Sequence, residues 1–214
     1  MQSMGYYKLK YSTGVGDKSN TLQDYDRFLA NSGEQFSLED FVSHQLLHTR
    51  CVRILDIGCG NAGALKGLRK QFGHRVHTMG LDLIDFDLAT NKIDQKIIGD
   101  ARTIALPKNL DLALSFRALH EIGNMPIVLP QITKSLSPSG IALLSVRVHD
   151  VTSKKSFFSG SITKKDEAFL MDIGKQDEWM NCTVVARQGQ AQEPFNPEKF
   201  VTTGIFLKLV KKEA

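Results

Sequence analysis

Apolar residues fall along this chain in two alternating patterns. Short aliphatic runs, Val52-Arg53-Ile54-Leu55-Asp56-Ile57, Val76-His77-Thr78-Met79-Gly80-Leu81-Asp82, a third reaching Ile97-Ile98, and Leu110-Asp111-Leu112-Ala113-Leu114-Ser115-Phe116, read as buried strands. Between them lie helical stretches, one over Ala64 to Lys70 and one from about Pro126 to Ser135, where Pro126 suits a first helical turn. Leu136-Ser137-Pro138-Ser139-Gly140 then turns into a fifth strand through Ile141-Ala142-Leu143-Leu144. Strand and helix alternating in this way through Val146 demand a parallel sheet with right-handed crossovers.

The flanks follow other patterns. Thr21-Leu22-Gln23-Asp24 and Ser37-Leu38-Glu39-Asp40 each set a hydroxyl three residues before an acid, which predicts two short capped helices, the first closed by Gly33. The second carries Leu38, Phe41, Val42, Gln45 and Leu46 on one side and should dock on the sheet. After the core, Thr163 to Lys175 reads as a helix capped by Thr163, with Asp166 and Glu167 at the positive end of its dipole. Cys182–Arg187 and Thr203–Val210 read as strands, and a loop joining them implies antiparallel pairing. Residues 150–162 and 188–200, rich in Ser, Lys, Gln, Gly and Pro, are expected to be mobile loops. The predicted fold class is an α/β, three-layer α/β/α sandwich: a mostly parallel seven-stranded sheet with an antiparallel C-terminal pair. One compact unit spans 51–214, behind an N-terminal helical lid or extension over 1–50.

Length and charge add bounds. A chain of 214 residues suits one α/β domain with a substantial core. Its net charge of +4 is spread over short lysine pairs such as Lys154-Lys155 and Lys211-Lys212, which favours a solvated face over a nucleic-acid track. Cys51, Cys59 and Cys182 lack CxxC spacing, and His44, His48, His74 and His77 lack ligand spacing, so neither disulfides nor a metal site is indicated. No stretch has the length of a signal sequence's apolar core or of a membrane span, and a cytoplasmic location is expected.

The chemistry concentrates at strand ends. Gly58, Gly60 and Gly63 follow the first strand at nucleotide-loop spacing, where they allow a sharp turn and close approach of backbone N–H groups to a ligand. Asp82 ends the second strand about 20 residues on, where a carboxylate can accept both hydroxyl protons of a ribose. A nicotinamide dinucleotide fits this pair as well as any adenosine cofactor does. Asp56, inside the end of the first strand, breaks the tie, because a buried acid needs a polar or cationic partner there. A cofactor's amino group would satisfy it, whereas a pyrophosphate would be repelled. Asp100, at the end of the third strand, can accept from an exocyclic amine such as adenine's.

These residues resemble the Rossmann-like (class I) S-adenosylmethionine-dependent methyltransferases over about residues 50 to 147. Leu55-Asp56-Ile57-Gly58-Cys59-Gly60-Asn61-Ala62-Gly63 is similar to the family's first motif, Asp82 to its ribose acid, and Gly99-Asp100-Ala101 with Leu106-Pro107 to its adenine-edge motif. Ser115-Phe116-Arg117-Ala118-Leu119-His120-Glu121-Ile122 is similar to the segment that walls the transferable methyl. The resemblance implies S-adenosylmethionine as cofactor, bound by Asp56, Gly58, Cys59, Gly60, Gly63, Asp82, Leu83, Gly99, Asp100, Ala101, Ser115 and Phe116. One departure stands out. Between Asp82 and Asp100 the family usually places a full helix, and residues 83–93 leave room for little more than two turns; Leu83 or Ile84 would then pack on the adenine.

Methyl transfer needs alignment above all, and a hydroxyl acceptor also needs a base. His120 or Glu121, just past the fourth strand, is the candidate to remove or orient the acceptor's proton; the alternative is that His120 packs under the lid. Arg117 and Arg147, near the ends of adjacent strands, either clamp an acceptor's carboxylate or phosphate or make ordinary ion pairs. No Asn-Pro-Pro-aromatic or Pro-Cys motif of the base-modifying enzymes is present. The expected activity is methyl transfer to an O or N acceptor on a small molecule. A protein acceptor, and a methyltransferase-like binding or regulatory protein without turnover, are the alternatives.

Overall fold

The structure, a computed structural model, describes residues 21–85, 92–147, 164–173, 182–192 and 201–211. Helices α1 (Leu22–Asn31) and α2 (Leu38–Gln45) lead into β1 (Val52–Ile57), α3 (Gly63–Phe72), β2 (Val76–Asp82), β3 (Gln95–Ile98) and β4 (Leu110–Ser115). The single-turn α4 (Leu119–Ile122), α5 (Met125–Ser135), β5 (Leu136–Arg147), α6 (Lys164–Met171), β6 (Cys182–Gln192) and β7 (Val201–Lys211) follow. The strands form one sheet in the order β3-β2-β1-β4-β5-β7-β6. The first five are parallel, β7 runs antiparallel to β5, and β6 antiparallel to β7.

Side-chain alternation along the strands builds the three layers. In β1, Leu55 and Ile57 join one core with Val128, Leu129 and Ile132 of α5 and Leu170 of α6. Val52 and Ile54 face the other way, into a core with Leu29 of α1, Val42 of α2, and Leu65 and Leu68 of α3. Asp56 shares the parity of Val52 and Ile54, so it points toward the layer of α1–α3. Both leading helices carry the reciprocal capping boxes that their sequences predict, at Thr21/Asp24 and Ser37/Asp40. Asp26 of α1 accepts the Leu38 N–H at 2.8 Å, which ties the two helices together. Lys208 of β7 pairs with Glu34 at 3.0 Å and lies over the Phe36 ring, so the segment between them is anchored to the sheet.

Several boundaries differ from the sequence pattern. β3 stops at Ile98, and Gly99, Asp100 and Ala101 form the turn beyond it. The helix expected over Thr163–Lys175 spans only Lys164–Met171, and Thr163, its expected cap, is outside the described residues. β6 runs to Gln192, so residues 188–192, expected as mobile loop, are strand. Their backbone is paired by β7, whose own start at Val201 meets Gln192, beyond the point where β5 ends against Gly204. The loop reading of 150–162 and 193–200 falls outside the described residues. Among described residues no helix is long and apolar enough to cross a membrane, and no cluster of metal-ligating side chains occurs.

The N-terminus of α5 shows how the layers are locked. Its cap residue, Asn124, is left-handed and its side chain makes no capping bond. The buried Asp166 of α6 supplies the missing acceptor, taking the N–H of Met125 at 2.6 Å and of Asn124 at 3.2 Å. Asp166→Ala leaves the buried Met125 N–H and the part-buried Asn124 N–H without this acceptor, and should cost about 2 kcal/mol. That corresponds to a fall in Tm of roughly 4–8 °C. Asp166→Asn should recover part of the loss in the same thermal scan.

Candidate functional site

β1 and β4 are adjacent, yet the chain leaves them for opposite halves of the sheet, which opens a crevice at their C-terminal ends. The turn after β1 occupies it. Gly58 and Gly60 adopt φ of 74° and 54°, a region that disfavours a side chain. A Cβ at Gly58 would also lie 2.2 Å from that of Ala118, so this glycine permits the segment after β4 to close on the turn. The N–H groups of Gly58 and Cys59 donate to the Leu81 carbonyl at 2.8 and 3.2 Å, and that of Gly60 donates to Asp82 Oδ2 at 2.9 Å. The glycine turn is therefore lashed to the end of β2. Gly63 begins α3.

Asp82 also accepts the Ile84 N–H on Oδ1 at 3.1 Å, with Leu83 partly buried between them. Burial raises its carboxyl above the usual range, backbone N–H groups of Ile84, Gly60 and Leu83 pull it down, and the charge of Glu121 raises it again. Glu121 thus bears on the acid that the sequence marks for a ribose.

Asp56 is 1% exposed. Its Oδ2 accepts the Tyr25 hydroxyl at 2.8 Å, while its buried Oδ1 has no hydrogen-bond partner. Burial pushes this carboxyl up to about 7, against the Tyr25 hydrogen bond and together with the nearby charge of Asp82. Tyr25, which holds this candidate site residue, is not singled out by the sequence. Its place with Leu29 on the buried face of α1 was a visible signal, but no local spacing connects it to β1.

Other expected site residues are engaged elsewhere. Ser115 is fully buried and donates its Oγ to the Ile57 carbonyl at 2.8 Å, bridging β4 to β1. Phe116 is buried against Tyr25 and Phe28, with ring centroids at 4.4 and 4.9 Å. The Cys59 thiol is buried in the core below the turn, where it donates to the Gly60 carbonyl at 3.6 Å, and burial pushes its pKa up. Asp100 is gripped by Arg102: the backbone N–H and Nε reach Oδ1 at 2.9 and 2.8 Å, and Nη2 pairs with Oδ2. That pairing lowers its pKa. Ala101 is buried, and a Cβ at Gly99 would meet Ile104 at 2.8 Å.

On the lip after β4, Arg117 is exposed and left-handed at φ 62°, held by its N–H to Ser145 Oγ at 2.9 Å. His120 on α4 is 6% exposed, with Glu121 beside it partly exposed. Arg147 is the last residue of β5, registered opposite Gly204.

A family model described as a methyltransferase domain matches residues 48–194, more than half of the chain. The chain belongs to this methyltransferase family. Its sheet order and glycine turn are those of the Rossmann-like class I, whose cofactor is S-adenosylmethionine. No curated protein matches the chain. Among solved structures, it is similar to the Burkholderia thailandensis 1,6-didemethyltoxoflavin-N1-methyltransferase with bound 1,6-didemethyltoxoflavin and S-adenosylhomocysteine: TM-score 0.60, 13% identity, 98% of this chain and 87% of that one. A TehB-like SAM-dependent methyltransferase from Corynebacterium glutamicum aligns with TM-score 0.52, 16% identity and 98% of both chains. The [4+2]-cyclase SpnF aligns with TM-score 0.56, 13% identity, 92% of this chain and 98% of that one.

In this methyltransferase fold the raised carboxyl of Asp56 has a cost. A carboxylate that titrates near 7 when folded, but near 4 when unfolded, keeps a proton in the folded state that the unfolded chain has lost. Stability therefore falls as pH rises from about 4 to about 7, and levels off above. Asp56→Asn removes the titration, so the ligand-free variant should gain about 2–4 kcal/mol on wild type between pH 4.5 and pH 8. Urea denaturation at the two pH values measures it, and a difference independent of pH would contradict the assignment.

Proposed function

We propose that this chain transfers a methyl group from S-adenosylmethionine to an oxygen or nitrogen of a small-molecule acceptor. The observation that carries this reading is the unpartnered, buried Oδ1 of Asp56 beside a turn whose N–H groups are already fixed. A buried oxygen of this kind calls for a cationic donor, and the cofactor's amino group is one. Asp56 would hold that group, the Gly58-Cys59-Gly60 backbone and Gly63 would border the methionine end, and Asp82 would take the ribose. Leu83 would pack against the adenine, with Gly99, Asp100 and Ala101 at its edge. Asp100 would offer its carboxylate to an adenine amine only by sharing it with Arg102. Ser115 and Phe116 would shape the wall from behind.

When bound, the cofactor supplies an electrophilic methyl carbon on a sulfonium. The residues of the lip have the remaining tasks. Arg117 and Arg147 would orient an anionic acceptor, and His120 or Glu121 would accept its proton where the attacking atom is a hydroxyl. The small acceptor draws support from the 1,6-didemethyltoxoflavin bound in the similar Burkholderia structure and from the absence of a dense basic run. A protein acceptor remains the second substrate class, nucleic acid is disfavoured, and a cytoplasmic setting fits the cysteine pattern.

Thermal-shift titration with S-adenosylmethionine, S-adenosylhomocysteine and NAD tests the cofactor. Either adenosyl compound at about 100 times its Kd should add roughly 2.7 kcal/mol, or about 5–10 °C in Tm, and NAD nothing. Asp82→Ala should abolish the shift. A shift with NAD alone would overturn the reading, and a folded sample blind to all three would favour a binding protein without turnover. Once an acceptor is found by S-adenosylhomocysteine release, His120→Ala should lower kcat at least 100-fold with unchanged S-adenosylhomocysteine affinity if His120 is the base.

A further inference from the structure

Tyr25 is 1% exposed, reaches Asp56 from 31 residues away, and is wedged by Phe116. Phe116 directly precedes the segment that closes on Gly58. Helix α1 thus reaches the crevice floor through the Tyr25 hydroxyl, which takes one of the two Asp56 oxygens. The other oxygen is left buried and without a partner.

We propose that Tyr25 is a positioning residue for the amino-acid end of the cofactor: its hydroxyl fixes Asp56 through Oδ2 so that Oδ1 meets the ammonium, which couples docking of α1 to affinity for that half of the ligand. This rests on the S-adenosylmethionine reading above. The hydrogen bond has a second effect, because a donor to a carboxylate favours its charged form. Without Tyr25's hydroxyl, Asp56 holds its proton to higher pH and offers the ammonium a neutral partner. The groups that face Asp56 are Tyr25 from α1, Asp82 from the end of β2, and the buried Cys59 thiol from the turn, with Glu121 acting on Asp82. The thiol stays neutral through the range in question, since burial pushes it up.

Calorimetric titration of the full chain with two ligands separates these contributions. S-adenosylhomocysteine carries the amino-acid end; 5′-methylthioadenosine carries the same adenosyl group without it. Asp82 and the ribose enter both affinities, so their ratio isolates the amino-acid end. In wild type the ratio should favour S-adenosylhomocysteine increasingly as pH rises through about 7, where Asp56 loses its proton. Tyr25→Phe should weaken S-adenosylhomocysteine about ten-fold at pH 7, the size of a hydrogen bond to a charged group, and leave methylthioadenosine within about two-fold. The pH midpoint of the ratio should move up. In an Asp56→Asn background, Tyr25→Phe should leave the ratio unchanged. Equal losses for both ligands would mean that Tyr25 only props α1, and would overturn the proposal, as would a ratio and midpoint unmoved by Tyr25→Phe. Wild type that binds neither compound would overturn the cofactor reading and this inference with it.

Discussion

A carboxylate buried at the C-terminal end of a central strand is the constraint around which this molecule is arranged. Strand alternation puts Asp56 on the same face as Val52 and Ile54, the face covered by α1–α3. Asp56 is 1% exposed there, so its charge must be met from within or neutralised. Tyr25 meets half of it, and the shift of the carboxyl to about 7 is the remainder. A folded protein that needed only stability would place an apolar residue here. On the proposed reading, the acid is a group that the cofactor's ammonium completes.

The rest of the crevice divides into atoms that are poised and atoms that are spent. The N–H groups of Gly58, Cys59 and Gly60 are all used to bind the turn to the end of β2, and this fixes the turn's shape before any ligand enters. Asp82 accepts the Gly60 and Ile84 N–H groups on different oxygens and still has lone pairs for hydroxyl groups, because each carboxylate oxygen can accept more than one hydrogen bond. Asp100 is different. Its guanidinium partner lies two residues along the chain, which lowers its pKa and makes it a stable anion in its own right. An amine arriving at Asp100 competes with an existing ion pair; one arriving at Asp56 fills a vacant acceptor.

What could be read from the sequence was what depends on local spacing. The capping boxes at Thr21 and Ser37, the glycine turn, Asp82 at its distance, and the antiparallel ending are set by residues a few positions apart or by element order. Gln188-Gly189-Gln190 reads as loop by composition, yet it forms strand because β7 continues past the end of β5 and pairs with it, so tertiary pairing overrides propensity. Ser115 looked like a ligand-facing residue, but the register of β4 against β1 turns its hydroxyl onto the Ile57 carbonyl. Tyr25 was hidden for the same reason in stronger form: its partner is fixed by how α1 docks, and nothing near either residue encodes that.

The fold by itself does not settle what chemistry follows, since a [4+2]-cyclase and two methyltransferases share it with this chain at 13–16% identity. One segment bordering the crevice is the lip between β4 and α5. Here that lip is held in an uncommon conformation: Arg117 is left-handed without being glycine, a strain that persists only if surroundings impose it. Ser145 of β5 imposes it by accepting the Arg117 N–H, and Ala118 fits against Gly58 where no side chain stands. Across four residues the lip runs from the exposed Arg117 to the buried His120. A lip tied to both β5 and the glycine turn cannot shift without disturbing the floor of the crevice. The segment carrying Arg117 and His120 and the turn beside Asp56 are therefore packed as one arrangement, in which a side chain added at Gly58 would displace Ala118 and so be felt at His120.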